Sequence, residues 1–438
     1  VSVASGFVVI LGWCVGVAAS TTGAEVSTAS VAGALAPSVS APAVALAPSA
    51  SAETTTVGAA ALAPQPTSGA LEPEAPERAS PDPSGRGVLS RMLPEGFTLT
   101  TYAELNFTWD TTQPKDGVIN LRGFDARHAS FSISNVVVDL GWDWQNVVGR
   151  IALQAGITGE TYYTVERTRL PGGRLPRDTW RHIQQGYVGY RLPVLSGLLV
   201  TAGLFLSPIG PEGIAVKDQW AWSRSNLFFG LPFYHLGARA ELALDTRWTA
   251  TLGIVNGWNA AVDGDEDKSL LVRLAYADEA GRSLSALYLV GTEDRLRRHL
   301  FDGYGTFPVV DRLWVQAHVN GGLVDGSPRA WFGAALALRC TILEPSAHEL
   351  TGLWLALRGD VLRETALSPR DVDSLFFGAS WVSSVTGTVE LRPSSGLSVR
   401  LEGRLDRAAN PIFGVCSLGG EGCAMGRSTL TLGVTAWL

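Results

Sequence analysis

From Phe97 to the end of the chain, apolar and polar residues alternate with a period of two. In the stretch 397–406, Leu397, Val399, Leu401 and Leu405 interleave with Ser398, Arg400, Glu402, Arg404 and Asp406. In 235–245, Leu236, Ala238, Ala240, Leu242 and Leu244 alternate with His235, Gly237, Arg239, Glu241 and Asp245. Residues 102–110 repeat the pattern, with Ala103, Leu105, Phe107 and Trp109 set against Tyr102, Glu104, Asn106, Thr108 and Asp110. Successive side chains of a strand point to opposite faces, so each segment predicts a strand with one apolar and one polar face. No stretch beyond the N-terminal leader offers about 20 uninterrupted apolar residues, which excludes ordinary membrane-spanning helices.

A soluble sandwich would alternate too, and three features tilt the reading towards a membrane barrel. The predicted strands run to about ten residues or more, against about 5–6 in globular sheets, and a tilted bilayer span takes about 9–11. Short connections such as Trp144-Gln145-Asn146, Asp245-Thr246-Arg247 and Arg392–Gly396 alternate with long ones near 164–181, 208–232, 259–268 and 407–427. Outer-membrane barrels have this asymmetry, with short periplasmic turns and long external loops. Trp109, Trp248 and Trp258 fall at strand ends, where interfacial aromatic girdles sit. The predicted fold is all-β, a transmembrane antiparallel up-and-down barrel of about 16 strands. The segments run from 98–110 through a third at 147–163 to a last at 428–438. The tenth, 299–309, alternates poorly and is kept because an even count keeps the turns in phase.

Composition agrees. Only 17% of residues are charged, against about 25% in an average soluble chain, and Gly (49) and Trp (14) are abundant. The formal net charge is −7, and Lys115, Lys217 and Lys268 are the only lysines among 34 basic residues. With no basic block, nucleic acid is excluded as the main partner.

The N-terminal stretch 1–19 is an apolar run ending in small residues and reads as an export signal, although it lacks a basic start. Residues 20–91 are rich in Ala, Pro, Ser and Thr and too poor in aromatics to bury a core. They are expected to form a disordered periplasmic linker, with the barrel occupying 92–438. Cys416 and Cys423 bracket a Gly-rich loop that an exported chain could close as a disulfide. Two cysteines and no histidine there do not make a zinc site.

Residues 203–258 resemble the OmpL-like β-barrel porin family. The resemblance is carried by Leu206-Ser207-Pro208-Ile209-Gly210-Pro211-Glu212, Trp222-Ser223-Arg224-Ser225, Pro232–Arg239 and Val255-Asn256-Gly257-Trp258. The ending, Leu401–Asp406 before a last strand, is similar, and coverage runs over about residues 97–438. The resemblance implies a porin in the bacterial outer membrane, with its substrate unassigned.

The candidate functional surface is the polar face of the strands. Arg239, Glu241, Arg358, Asp360, Arg400, Glu402, Arg404 and Asp406 are expected to point into the lumen. There they could form separated acidic and basic walls whose field orders a permeating solute, with Arg400 and Arg404 favouring anions. Equally, they could pair with one another and stiffen the wall. The loop 208–232, long and aromatic, is the candidate constriction. Asp263-Gly264-Asp265-Glu266-Asp267 opens like a calcium loop, but Lys268 and Leu274 occupy the positions that should be Gly and Glu. It reads as a solvated acidic loop. The six histidines lie on separate segments with no nucleophile motif beside them, so neither an enzyme nor a cofactor is expected. The expected function is passive diffusion of small hydrophilic solutes or ions. The alternatives are a substrate-specific channel and a structural or adhesive barrel with a plugged lumen. Expected partners are outer-membrane lipid and the solutes themselves, and a homotrimer is the assembly considered.

Overall fold

The computed structural model describes residues 93–438 except 165, 167–175, 264–265, 294, 346–350, 366–374, 376–378 and 416–422. The segments read as export signal (1–19) and linker (20–91) lie outside the described residues. So do Cys416 and the centre of the acidic loop; Cys423 is disulfide-bonded.

The first eight strands are β1 (Phe97–Asp110), β2 (Ser130–Trp144), β3 (Val147–Ala155), β4 (Ile183–Leu192), β5 (Leu198–Leu206), β6 (Tyr234–Ala243), β7 (Trp248–Val255) and β8 (Ser269–Ala277). The second eight are β9 (Ser283–Glu293), β10 (Leu296–Val310), β11 (Leu313–Val324), β12 (Ala330–Leu343), β13 (Gly352–Glu364), β14 (Trp381–Ser394), β15 (Leu397–Ala408) and β16 (Gly426–Trp437). Each pairs antiparallel with its sequence neighbours, and β1 closes on β16 from Tyr102↔Trp437 to Asp110↔Thr429. The result is a closed 16-stranded barrel. Closure leaves no sheet edge, so every strand backbone is paired inside the bilayer. Among the described residues no helix is long and apolar enough to cross a membrane.

The alternation of the sequence becomes an inside-out burial pattern. On β15, Leu401 and Leu405 are each 49% exposed on the outside, while Arg400, Glu402, Arg404 and Asp406 are at most 2% exposed inside. A soluble protein would bury the leucines; here lipid takes the place of the core. One end of the barrel carries tight turns. At Gln145 (φ 50°) and Asn146 (φ 68°) both central residues adopt the left-handed conformation that a two-residue hairpin requires. The other end carries the long connections, among them 111–129, 156–182, 207–233 and 409–425. By the rule for outer-membrane barrels this end is extracellular.

Two expectations about local structure need correction. The third segment is not one strand over 147–163. β3 stops at Ala155, Gly156 turns at φ 131°, and Ile157–Thr164 forms a helix. Its Tyr162 and Tyr163 pack with Phe124, Phe228, Phe233 and Tyr234 inside the extracellular mouth. That contact overrides the strand preference of the Thr-Tyr-Tyr-Thr run. Trp258 is not a girdle residue either: it turns inward against Trp331, with the Arg298 guanidinium over its ring. The weakly patterned tenth segment forms β10, at 15 residues as long as any strand here.

Candidate functional site

The connection 207–233 does not stand clear of the barrel but folds into the lumen. Its seat is the inward face of β13–β16 and β1. Seven inward charges are Arg358 and Asp360 on β13, Glu390 on β14, Arg400, Glu402, Arg404 and Asp406 on β15. Arg427 on β16 and Glu104 on β1 complete the wall. A loop crossing this space must satisfy its backbone N–H and C=O groups away from secondary structure.

The wall does so with charged side chains. Val216 N donates to Glu104 Oε1 (2.5 Å), and Trp222 N and Ser223 N donate to the two oxygens of Glu402 (2.5 and 3.0 Å). The backbone and side-chain amides of Asn226 both donate to Asp360 Oδ1 (3.0 and 2.8 Å). Guanidiniums take the carbonyls: Arg358 donates to Ser223 O (2.7 Å), Arg392 to Lys217 O (3.2 Å), Arg400 to Val216 O and Arg404 to Arg224 O. Hydrogen bonds with one ionised partner are about twice as strong as neutral ones, so this is a firm anchorage. On the far side of the loop, Gly210 N donates to Asp302 Oδ1 on β10 (3.0 Å), whose second oxygen meets His318 Nε2 at 2.7 Å.

The loop is shaped to fit. Arg224 donates to the carbonyls of Gly213, Ile214 and Trp222, pinning the loop on itself. Trp222 is 1% exposed and lies on Gly433 of β16, where a Cβ would stand 2.2 Å from the indole ring. Glycine is required there by close approach, not by backbone conformation. Ile209, Leu227 and Leu231 pack against inward Leu271, Leu287, Leu289, Leu300 and Leu362 towards the extracellular end.

All eight residues proposed for the lumen point inward. Six of them, on β13 and β15, come together beneath the loop; Arg239 and Glu241 on β6 face them from the opposite wall, 3.6 Å from one another. The charges are interleaved, not segregated into acidic and basic walls. Asp406 meets Arg404 (2.7 Å), Arg427 (2.9 Å) and Arg122 (3.3 Å), and Glu390 meets Arg400 and Arg339 (each 2.9 Å). Arg400 and Arg404 therefore act first on the loop they hold. Sequence reasoning missed Glu104, Glu390, Asp302 and Arg427, all on polar faces that the alternation does assign. It also missed the apolar seat, signalled by the runs Leu270-Leu271-Val272 and Leu287-Tyr288-Leu289-Val290, where both faces of a strand are apolar.

Between the loop and β11–β14 a small cleft persists, lined by Gln219 and Trp220 of the loop and by Gln316, Ala337, Ala356, Arg358 and Thr388 of the wall. The two alanines leave space that larger inward residues would fill. Glu212 borders it, 2.6 Å from Arg358 and accepting from Ser225 N (2.9 Å). Burial pushes the Glu212 carboxyl up, but Arg358, the Ser225 bonds and Arg224 outweigh it and hold it below the usual carboxylate value. A carboxyl held low stabilises the seated loop above its free value, and that contribution fades as pH falls through the folded one. As this group becomes protonated, the conductance step should change when pH falls below about 4, the free carboxylate range. Glu212→Gln should weaken that acid response. An acid response below about pH 4 that is as large in Glu212→Gln as in the parent would contradict this role.

A family model described as "Putative beta-barrel porin-2, OmpL-like" matches residues 96–436. None of the curated proteins matches the chain. Among solved structures, OprB of Pseudomonas putida is similar at TM-score 0.49 and 10% identity, over 80% of this chain and 96% of its own. The outer membrane channel DcaP of Acinetobacter baumannii gives TM-score 0.48 and 12% identity, over 77% and 96%. An anion-selective porin from Comamonas acidovorans gives 0.47 and 10%, over 78% and 99%.

Proposed function

The chain belongs to the OmpL-like β-barrel porin-2 family, channel proteins of the bacterial outer membrane and not enzymes, and from that premise we propose that it passes small hydrophilic solutes and ions by passive diffusion. The observation that carries this reading is the cleft between loop and wall. The loop is bound to one side of the lumen by charged groups, and it faces small and polar side chains on β11–β14. Barrels of about this strand number are wide enough to hold an aqueous channel. A loop fixed to one wall narrows such a channel without filling it. Gln219, Gln316 and Thr388 give the cleft a polar lining, which suits neutral polar molecules as well as ions.

Narrowing the cleft tests the proposal. Ala337→Trp and Ala356→Trp each place an indole opposite Trp220, and single-channel conductance should fall clearly while the barrel still inserts. Unchanged conductance in both variants would mean that solutes do not pass here. The apolar packing of Ile209, Leu227 and Leu231 at the outer end favours a second reading, a barrel closed by its own loop. That reading predicts insertion without conductance.

A further inference from the structure

Below the cleft the inward faces of its strands continue towards the tight-turn end of the barrel. Arg339 stands two residues beyond Ala337 on β12, Trp354 two before Ala356 on β13, and Glu390 two beyond Thr388 on β14. Even spacing keeps each on the inner face of its strand. Arg339, Arg392 and Arg400 all donate to Glu390 at 2.9 Å, which sets three positive charges on one negative. Lys217 of the loop, whose carbonyl accepts from Arg392, is itself paired with Asp218 at 2.6 Å.

The three guanidiniums differ in what else they hold. Arg400 donates to Val216 O and Arg392 to Lys217 O, so both brace the lumen loop. Arg339 makes no hydrogen bond or ion pair to the loop. Burying a cation is costly, and Arg339, at 7% exposure, offsets that cost only through a carboxylate that two other arginines already neutralise. Its guanidinium and that of Arg392 both lie over the Trp354 ring, 5.2 and 5.1 Å from the centre, and Arg392 is also 5.4 Å from the centre of Trp437. The indoles hold both forks in place. Among the described residues, Nε and Nη1 of Arg339 and Nη1 of Arg392 have no acceptor. Trp314 and Ala356, which flank Arg339 across the ladder, carry none on their side chains.

We propose that Arg339 and Arg392 form a subsite for the carboxylate of a small organic anion, whose body lies in the cleft against Trp220, Ala337 and Ala356. The subsite rests on the diffusion path proposed above and names a solute class for it. A guanidinium presents its N–H groups as a planar fork that matches a carboxylate in geometry and charge. The surplus of positive charge favours an anion over a neutral solute of the same shape. The indole of Trp220 and the two alanine methyls favour a hydrocarbon body, which an inorganic anion lacks. Glu390 stays bound to Arg392 and Arg400 when Arg339 is replaced, so the subsite can be altered while the network around it persists.

Fluorine NMR of the full chain in detergent micelles tests this, with trifluorobutyrate as the probe and neutral trifluorobutyramide as its control. The carboxylate signal should broaden on binding, and the amide signal should not. R339Q should weaken binding about tenfold, the loss of one hydrogen bond to a charged group, and R339Q/R392Q should abolish it. A337W, which fills the space for the body, should weaken it as well. Equal broadening of both probes, undiminished binding to R339Q/R392Q, or displacement of the carboxylate by an equal concentration of inorganic phosphate would each overturn the proposal. Conductance separates the subsite from the path it serves. A conducting barrel that does not bind trifluorobutyrate overturns the subsite alone, whereas a silent barrel that binds it overturns diffusion and upholds the binding site.

Discussion

Gly433→Leu is expected to unseat the lumen loop and enlarge the conductance step. Position 433 lies on the inner face of β16 beneath the Trp222 indole, and even a Cβ there would come within 2.2 Å of the ring. Non-bonded carbons approach to about 3.5–4.0 Å, so the ring has to leave. It cannot leave alone, because Trp222 N and Ser223 N are bound to Glu402. An aromatic side chain buries roughly 150–250 Å², worth about 4–6 kcal/mol at 25 cal/mol/Å², so losing the indole seat removes a large share of what holds this part of the loop. Overpacking of this kind costs about 1–3 kcal/mol where the surroundings can yield, and the loop is the part that can. The barrel itself should form normally. Its strands pair through backbone groups that the substitution does not touch. Single-channel recording checks the step size, and proteolysis within 207–233 checks the release. A Gly433→Leu protein with parental conductance and a protected loop would show that the seat is not what positions it.

Asp406→Ala should have the second large effect, on both stability and selectivity. This carboxylate meets Arg404, Arg427 and Arg122, and all four side chains are 1% exposed. Removing one partner of a buried ion pair leaves charge uncompensated, at a cost of about 3–5 kcal/mol. Here one deletion takes a carboxylate from three guanidiniums, of which Arg122 keeps Asp125 (3.0 Å) and Arg427 keeps Asp110 (3.8 Å), so the expected loss lies within that range, read as a lower thermal unfolding midpoint. The lumen also gains a positive charge, and a salt gradient should shift the reversal potential towards anions. Arg404 additionally holds Arg224 O and Asn226 Oδ1, so its reorientation should loosen the loop as well. If Asp406→Ala melts like the parent and keeps its ion preference, the interleaved network is not a working part of the wall.

The same charges show what the sequence could and could not convey. Alternation along β15 assigned Arg400, Glu402, Arg404 and Asp406 to the lumen because the lipid-facing residues between them leave no other face. Strand number and turn polarity were legible for a similar reason, since both follow from a bilayer of fixed thickness and two unlike compartments. What lies over an inward face was not legible. Glu402 binds loop residues 180 positions away in sequence, and nothing local to it encodes that contact. Asp302 and Gly210 are likewise 92 residues apart. The failures at 147–163 and Trp258 share this origin. Tyr162, Tyr163 and Trp258 have strand or girdle propensities by themselves, and the packed extracellular mouth overrules them.

The predicted constriction loop illustrates the middle case. Its length, aromatic content and flanking strands marked 208–232 in the sequence, whereas its direction depended on complementary groups spread over four strands, β1, β13, β14 and β15. Val216, Trp222, Ser223 and Asn226 offer N–H groups where Glu104, Glu402 and Asp360 stand, and Arg358, Arg392, Arg400 and Arg404 stand where carbonyls arrive. The wall is thus a template for one loop conformation more than a lining for open water. In the proposed reading, the solute path is displaced towards the small residues facing the loop on β12 and β13.

The most direct test of this account is single-channel recording of the full chain in a planar bilayer, with a salt gradient across it. The account predicts stable, stepwise, ohmic conductance that falls in Ala337→Trp and rises in Gly433→Leu. A barrel that inserts completely and stays silent in all three forms would contradict it.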